Sequence, residues 1–162
     1  DLCDVHITIL EEMDHSIRAL TPVTMHKFPA DEIRNIMENH HRLARALFWS
    51  TLVDEAVLRE WLVNMGTRSA EARLAHIFCE MLIRTRMAGR AEDDNIEFPL
   101  TQAELSESMG LTQVHINRVL QKLRHEGLVK LEKKRLTILD WDRLKQFSQF
   151  DPTYLHCQNV PE

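Results

Sequence analysis

The stretch that most limits what this chain can become is LTQAELSESMGLTQVHINRVLQKLRHEGLV, residues 100–129. It holds two helix starts separated by one tight turn. Thr101 and Glu104 have the spacing of a capping box, in which hydroxyl and carboxylate each satisfy a backbone N–H that the first helical turn leaves without a partner. Leu100 and Leu105 flank that box at the spacing of a hydrophobic staple, so a helix is predicted from Gln102 for about two turns. Gly110 stands where the chain must turn with positive φ, and Thr112 follows as a second N-cap, with Leu111 and Ile116 as its staple. The pattern is helix, tight turn, helix.

In the second helix Ile116, Val119, Leu120 and Leu123 fall at helical spacing and predict one buried stripe against Leu105 and Met109. At about 100° per residue, Val114, Arg118, Gln121 and His125 then point away from the core. Gln113 and Asn117 flank them on one side, His115 and Lys122 on the other. An apolar Val114 on that face suits water poorly but suits a DNA major groove. There it can touch a thymine methyl, while Arg118 bonds a guanine edge and Gln113 or Asn117 pairs with adenine. Thr112 opens the helix, whose N-terminal half would enter the groove with its positive dipole end near phosphate.

Gly127 closes this helix, and LVKL, EKKR and LTILD read as strand, basic turn and strand: a β-hairpin wing. Lys133, Lys134 and Arg135 at its tip suit phosphate contact, which positions a protein without reading sequence. Charge placement agrees. The chain has a net charge of −5, yet residues 113–135 hold 7 Lys/Arg against 2 Asp/Glu. That distribution excludes an indiscriminate nucleic-acid coat and leaves a local basic footprint.

The rest of the chain frames this motif. DVHITIL (residues 4–10) alternates, Glu11 to His15 form a polar turn, and Ser16 to Phe28 again read as extended, predicting two paired strands. Pro29 and Asp31 mark the entry of a short helix from Ala30 to Met37. Residues 39–65 contain neither Pro nor Gly and predict one long helix that Gly66 ends. Its apolar residues, among them Leu43, Leu47, Phe48, Leu52, Leu58, Trp61, Leu62 and Met65, cover more than one face, so one face is left for a second copy of the chain. Ser69 caps the next helix, which runs to about Met87, and residues 88–96 read as a polar loop.

The fold expected is mainly α with small β: residues 1–38 before the long helix, 39–66 a dimerisation helix, 67–150 a winged helix-turn-helix DNA-binding domain, and 151–162 a C-terminal tail. No apolar run reaches the roughly 18 to 20 residues that span a bilayer. Three scattered cysteines, Cys3, Cys79 and Cys157, with no signal segment, suit a reducing cytoplasm. The chain opens at Asp1 without Met, within what reads as a strand, so an upstream segment is expected.

Other chemistries find little support. His76 and Cys79 are an i, i+3 pair and His156 adjoins Cys157, but neither supplies three metal ligands, and a packed Cys with a surface His is the ordinary account. His40 and His41 read as solvent-facing. The pairs Glu11/Glu12 and Asp93/Asp94 sit in turns, and no nucleophile–base motif is present, so no enzyme and no metal site is expected, and no cofactor is evident. The alternative function is a winged helix used for protein interaction without specific DNA binding.

Residues 100–129 resemble the DNA-binding motif of the Crp/Fnr family of bacterial regulators, the cyclic-AMP receptor protein and its relatives. RLA at Arg73 to Ala75 resembles the opening of that domain's first helix, residues 39–65 correspond to the family's dimerisation helix, and residues 1–28 resemble the last strands of its β-roll sensor domain. The resemblance implies a cytoplasmic homodimer on a two-fold symmetric operator, bound to double-stranded DNA and often contacting RNA polymerase. The family's base-reading Arg matches Arg118, but Val114 stands where its commonest pattern has Glu, so the operator is expected to differ. Its cyclic-nucleotide binders carry Arg-Ser or Arg-Thr where this chain reads EEMDHS, so cyclic AMP is not expected as effector; the cysteines of an iron–sulfur sensor would lie upstream of Asp1. The effector and its binding residues stay unassigned.

Overall fold

The computed structural model describes residues 3, 5–10 and 12–157. The chain divides into two compact units, one up to Ala56 and one from Val57 on.

The first unit is helical. Helix α1 spans Ile7–Leu10, α2 spans Ala30–Asn39, and α3 begins at His41 and runs for 27 residues to Thr67, crossing from one unit into the other. Pro29, with φ −58° and ψ 144°, leads into α2, whose first turn carries Asp31 and Glu32 at the positive end of the helix dipole. Residue 40 breaks α2 from α3: His40 has φ −126° and ψ 70°.

The two paired strands expected between residues 4 and 28 do not form among the described residues, where a helical turn stands at Ile7–Leu10 and the rest is irregular. A hairpin alone is marginal in water, and among the described residues of this unit there is no further strand to pair with. Asp4 and Glu11 lie outside the described residues. Gly66, expected to end α3, lies inside it, and the helix continues to Thr67. Glycine permits a left-handed exit without enforcing one, and the true stop is Ser69, which is extended (φ −63°, ψ 160°) and caps the next helix.

That helix, α4 (Ala70–Met87), is the axis of the second unit. Ser69 Oγ accepts from the Ala72 N–H at 3.2 Å. Leu74, Ala75, Phe78, Cys79 and Leu82 are all fully buried. Around α4 pack α5 (Gln102–Met109), α6 (Gln113–His125) and α7 (Trp141–Ser148). A three-stranded antiparallel sheet closes the side: β1 (Asn95–Glu97), β2 (Val129–Glu132) and β3 (Arg135–Ile138), in the order β1-β3-β2. Leu131 and Ile96 both pair with Leu136, which is fully buried, and Phe78 meets Phe98 edge to face at 5.3 Å between centroids.

Strand β1 corrects the expected loop at 88–96. Its single core residue is Ile96, 2% exposed, between Asn95 and Glu97; three residues with one apolar member leave no alternation to read. Residues 151–157, expected as the start of a tail, fold back instead. Asp151 caps a 3₁₀ turn at Pro152–Leu155, and Phe150 and Leu155 are buried in the core; residues 158–162 lie outside the described residues.

Candidate nucleic-acid interface

Local chemistry builds the helix-turn-helix as the sequence implies. Thr101 N–H donates to Glu104 Oε2 at 2.7 Å and Glu104 N–H to Thr101 Oγ1 at 3.2 Å, closing both halves of the capping box. Gly110 takes φ 61°, ψ 37°, the left-handed geometry in which a side chain is strained. Thr112 Oγ1 then accepts from the His115 N–H at 3.2 Å and starts α6. Ile116, Val119, Leu120 and Leu123 are buried, with Leu105 and Met109 across from them.

The opposite face of α6 is open. Gln113, Val114, Asn117, Arg118, Gln121 and His125 are exposed, Val114 at 71%, while His115 is half-buried. Arg118 has no ion-pair or hydrogen-bond partner among the described residues, so its five donors remain available for a ligand. Gln113, Val114, Asn117 and Arg118 line a shallow depression together with Gln102. Gln102 is a member that sequence reading missed. As the first residue of α5 it reaches the start of α6, where its Oε1 accepts from Asn117 Nδ2 at 3.4 Å.

Two of the basic residues expected at the contact are engaged within the domain. Lys122 lies 3.5 Å from Glu71 Oε1 on α4 and 5.9 Å from the Phe147 ring centroid. Hydrogen bonding to its own backbone N–H first, then Ser69 and Lys122, holds the Glu71 carboxyl below its usual range. Arg135 donates through Nε to Asn95 Oδ1 and through Nη2 to Glu92 Oε2, each at 2.8 Å, which turns its guanidinium toward β1 rather than outward from the wing.

Lys133 and Lys134 are the exposed tip. They form a two-residue hairpin loop with φ 48° and 61°, the signs of a type I′ turn, and the Lys134 carbonyl accepts from the Phe98 N–H at 2.7 Å. The wing is also tied to α6 through Arg124, a residue with no sequence signal of its own, whose Nη2 donates to the Leu131 carbonyl at 2.7 Å.

His76 and Cys79, read as a weak metal pair, are both fully buried. His76 Nε2 lies 3.0 Å from the Tyr154 hydroxyl and Cys79 Sγ 3.6 Å from Ser148 Oγ. Burial pushes the Cys79 thiol up to about 12. Among the described residues no group of three or more His, Cys, Asp or Glu could hold a metal ion, and no helix is long and apolar enough to cross a membrane.

Residues 72–147 match the family model of the Crp-like helix-turn-helix domain. A probable transcriptional activator of Rhizobium leguminosarum bv. viciae is 28% identical over 139 residues, which are 85% of this chain and 57% of that protein. The transcriptional activator FnrL of Cereibacter sphaeroides is 26% identical over 135 residues, 80% of this chain and 54% of that one. The chain therefore spans a little over half the length of these relatives, both named as transcription regulators and neither as an enzyme. The fold is similar to that of FixK2 from Bradyrhizobium japonicum, with a TM-score of 0.66 at 18% identity, covering 75% of this chain and 60% of that one. Residues 72–147 thus make a Crp-like helix-turn-helix domain, and over most of its length the chain is similar to proteins named as transcriptional activators.

Proposed function

We propose that this chain is a sequence-specific transcription regulator that binds duplex DNA as a homodimer on a two-fold symmetric operator. The observation that carries the reading is the outward face of α6, where Arg118 stands without a partner among the described residues beside the exposed Val114. With α6 in the major groove, Arg118 bonds a guanine edge, Val114 meets a thymine methyl, and Gln113 and Asn117 lie within reach of neighbouring bases. Thr112, His115, Gln121, Lys122 and Arg135 surround this set, and Lys133 and Lys134 bring the wing to phosphate.

The pairing of two chains rests on α3, where Leu43, Phe48, Trp49, Leu52, Leu58 and Leu62 are between 44% and 75% exposed. Two such helices about a two-fold axis bury that surface and double the base contacts. Residues 1–38 belong in this reading to the end of a sensor domain, the protein works in the cytoplasm, and RNA polymerase is a further partner. Relatives named as transcriptional activators support the regulatory role.

Selection from a random duplex pool tests it. The selected site should be two-fold symmetric, affinity should fall steeply with salt, and Arg118→Ala should lose about 1 to 3 kcal/mol of discrimination at one base pair. A chain that selects no site is a protein-interaction module instead.

A further inference from the structure

Glu80 is a carboxylate with 2% exposure in the middle of α4, and its partners come from three parts of the fold. Trp61, in the last turns of α3, donates its indole Nε1–H to Glu80 Oε2 at 3.1 Å. Tyr154, in the 3₁₀ turn, donates its hydroxyl to the same oxygen at 2.7 Å. Arg84 Nη1 lies 3.5 Å from Oε1. Fully buried His76 completes the set, its Nε2 at 3.0 Å from the Tyr154 oxygen and its ring between Trp61 and Phe150, with centroids at 5.8 Å and 5.1 Å. On the same seam Arg68 bonds Glu60 Oε1 at 2.6 Å and the Gln149 carbonyl at 3.2 Å.

A buried carboxylate is costly unless its oxygens are satisfied, so these donors are required by the fold. They also differ in kind from the apolar contacts around them. Hydrophobic packing is non-directional and tolerates small slides and rotations of one helix on another. An indole N–H has one direction, and it meets an oxygen on α4 in only one setting of α3. Tyr154 holds that oxygen from the far side.

We infer that Glu80 is a positioning residue: through Trp61 and Tyr154 it fixes how the end of α3 sits on the winged helix, and so sets the half-site spacing that a dimer accepts. The inference rests on the regulator reading above, since α3 carries the dimer contact and α6 the base contacts. A dimer whose α3 helices are locked to their winged helices presents its two α6 helices at one separation. One base pair more or fewer moves a half-site by roughly 3.4 Å and rotates it by about a tenth of a turn. A locked dimer rejects that displacement, and a loosened one follows it.

The test uses the whole chain on its selected operator and on two versions with one base pair added or removed at the centre. Tyr154→Phe keeps the ring and removes only the donor; Trp61→Phe keeps an aromatic ring but removes the donor together with the second ring of the indole; Glu80→Gln keeps the shape and removes the charge. Wild type should lose at least about tenfold in affinity at either altered spacing. The two phenylalanine variants should melt cooperatively, weaken modestly on the selected spacing, and show a spacing ratio reduced to about two- or threefold. If both keep the wild-type ratio, or weaken equally on all three duplexes, Glu80 is structural only and the inference is wrong. Wild-type protein that binds none of the duplexes overturns the regulator reading and the inference with it.

Discussion

The guanidinium of Arg124 donates to the carbonyl of Leu131 at 2.7 Å, so the last turn of helix α6 carries the strand that leads into the wing. Arg124→Ala should loosen the wing without touching the groove-facing side chains. Affinity should fall several-fold on all sequences alike, and stability by about 1.5 kcal/mol, the lower end for a hydrogen bond to a charged group. Selection with the variant checks this; an altered base preference would make Arg124 a reader of sequence.

Lys133 and Lys134 occupy left-handed conformations that suit Asn and Gly far better, each at a cost of roughly 1 to 2 kcal/mol. Replacing the pair by Lys133→Asn and Lys134→Gly should therefore raise the melting temperature while weakening DNA binding. The salt dependence should flatten by about 0.9 in log–log slope for each lysine that reaches a phosphate. A variant that melts higher and binds as before would show that the wing tip does not touch DNA.

Gly110 separates backbone strain from crowding. A Cβ added there would find only the Met65 Cε methyl within 4 Å, at 3.9 Å, an ordinary contact. The cost of Gly110→Ala is thus the left-handed φ of 61° alone, about 1 kcal/mol. Urea unfolding should report that loss, with the slope of the transition unchanged. A loss of 3 kcal/mol or more would mean that the turn is packed more tightly than this geometry.

Burial first, and the charge of Arg68 second, lower the pKa of His76 from 6.5 to about 4. The unfolded chain protonates this ring as pH falls through 6.5, while the folded chain resists until about 4. Its contribution to stability is therefore complete above pH 7 and is lost between about 6.5 and 4, by an amount on the order of 3 kcal/mol. His76→Gln, which retains a donor toward Tyr154, should flatten that part of the curve of unfolding free energy against pH. An unchanged slope would assign the acid sensitivity to other groups.

Much of the helix-turn-helix is legible because its signals are local. Thr101, Glu104, Gly110 and Thr112 act on backbone atoms within a few residues, and the Ile116 to Leu123 stripe is a helical repeat. What escaped depends on distant partners. Ile96 becomes part of a strand only because Leu136 lies opposite, and the Gln102–Asn117 bond exists only once α5 crosses the start of α6. Residues 5–28 carry the reverse lesson: residues 5–10 alternate and 16–28 read as extended, but a strand exists only with a neighbour to pair with, and none is present among the described residues. Arg135 is a third kind of case, a basic residue at a wing whose charge is directed to Glu92 and Asn95.

The fold-back of residues 150–157 has a bearing on how the domain comes into being. Phe150, Tyr154 and Leu155 complete a core whose axis, α4, begins at Ala70. A nascent chain that has already made α5, α6 and the wing still lacks the side chains that cover His76 and satisfy Glu80. Closure must wait for contacts between residues some 70 to 80 positions apart, the kind that form late. During synthesis, then, helix α6 is made before the residues that close its domain's core, and the last core contacts can form only once residues 150–157 have been added.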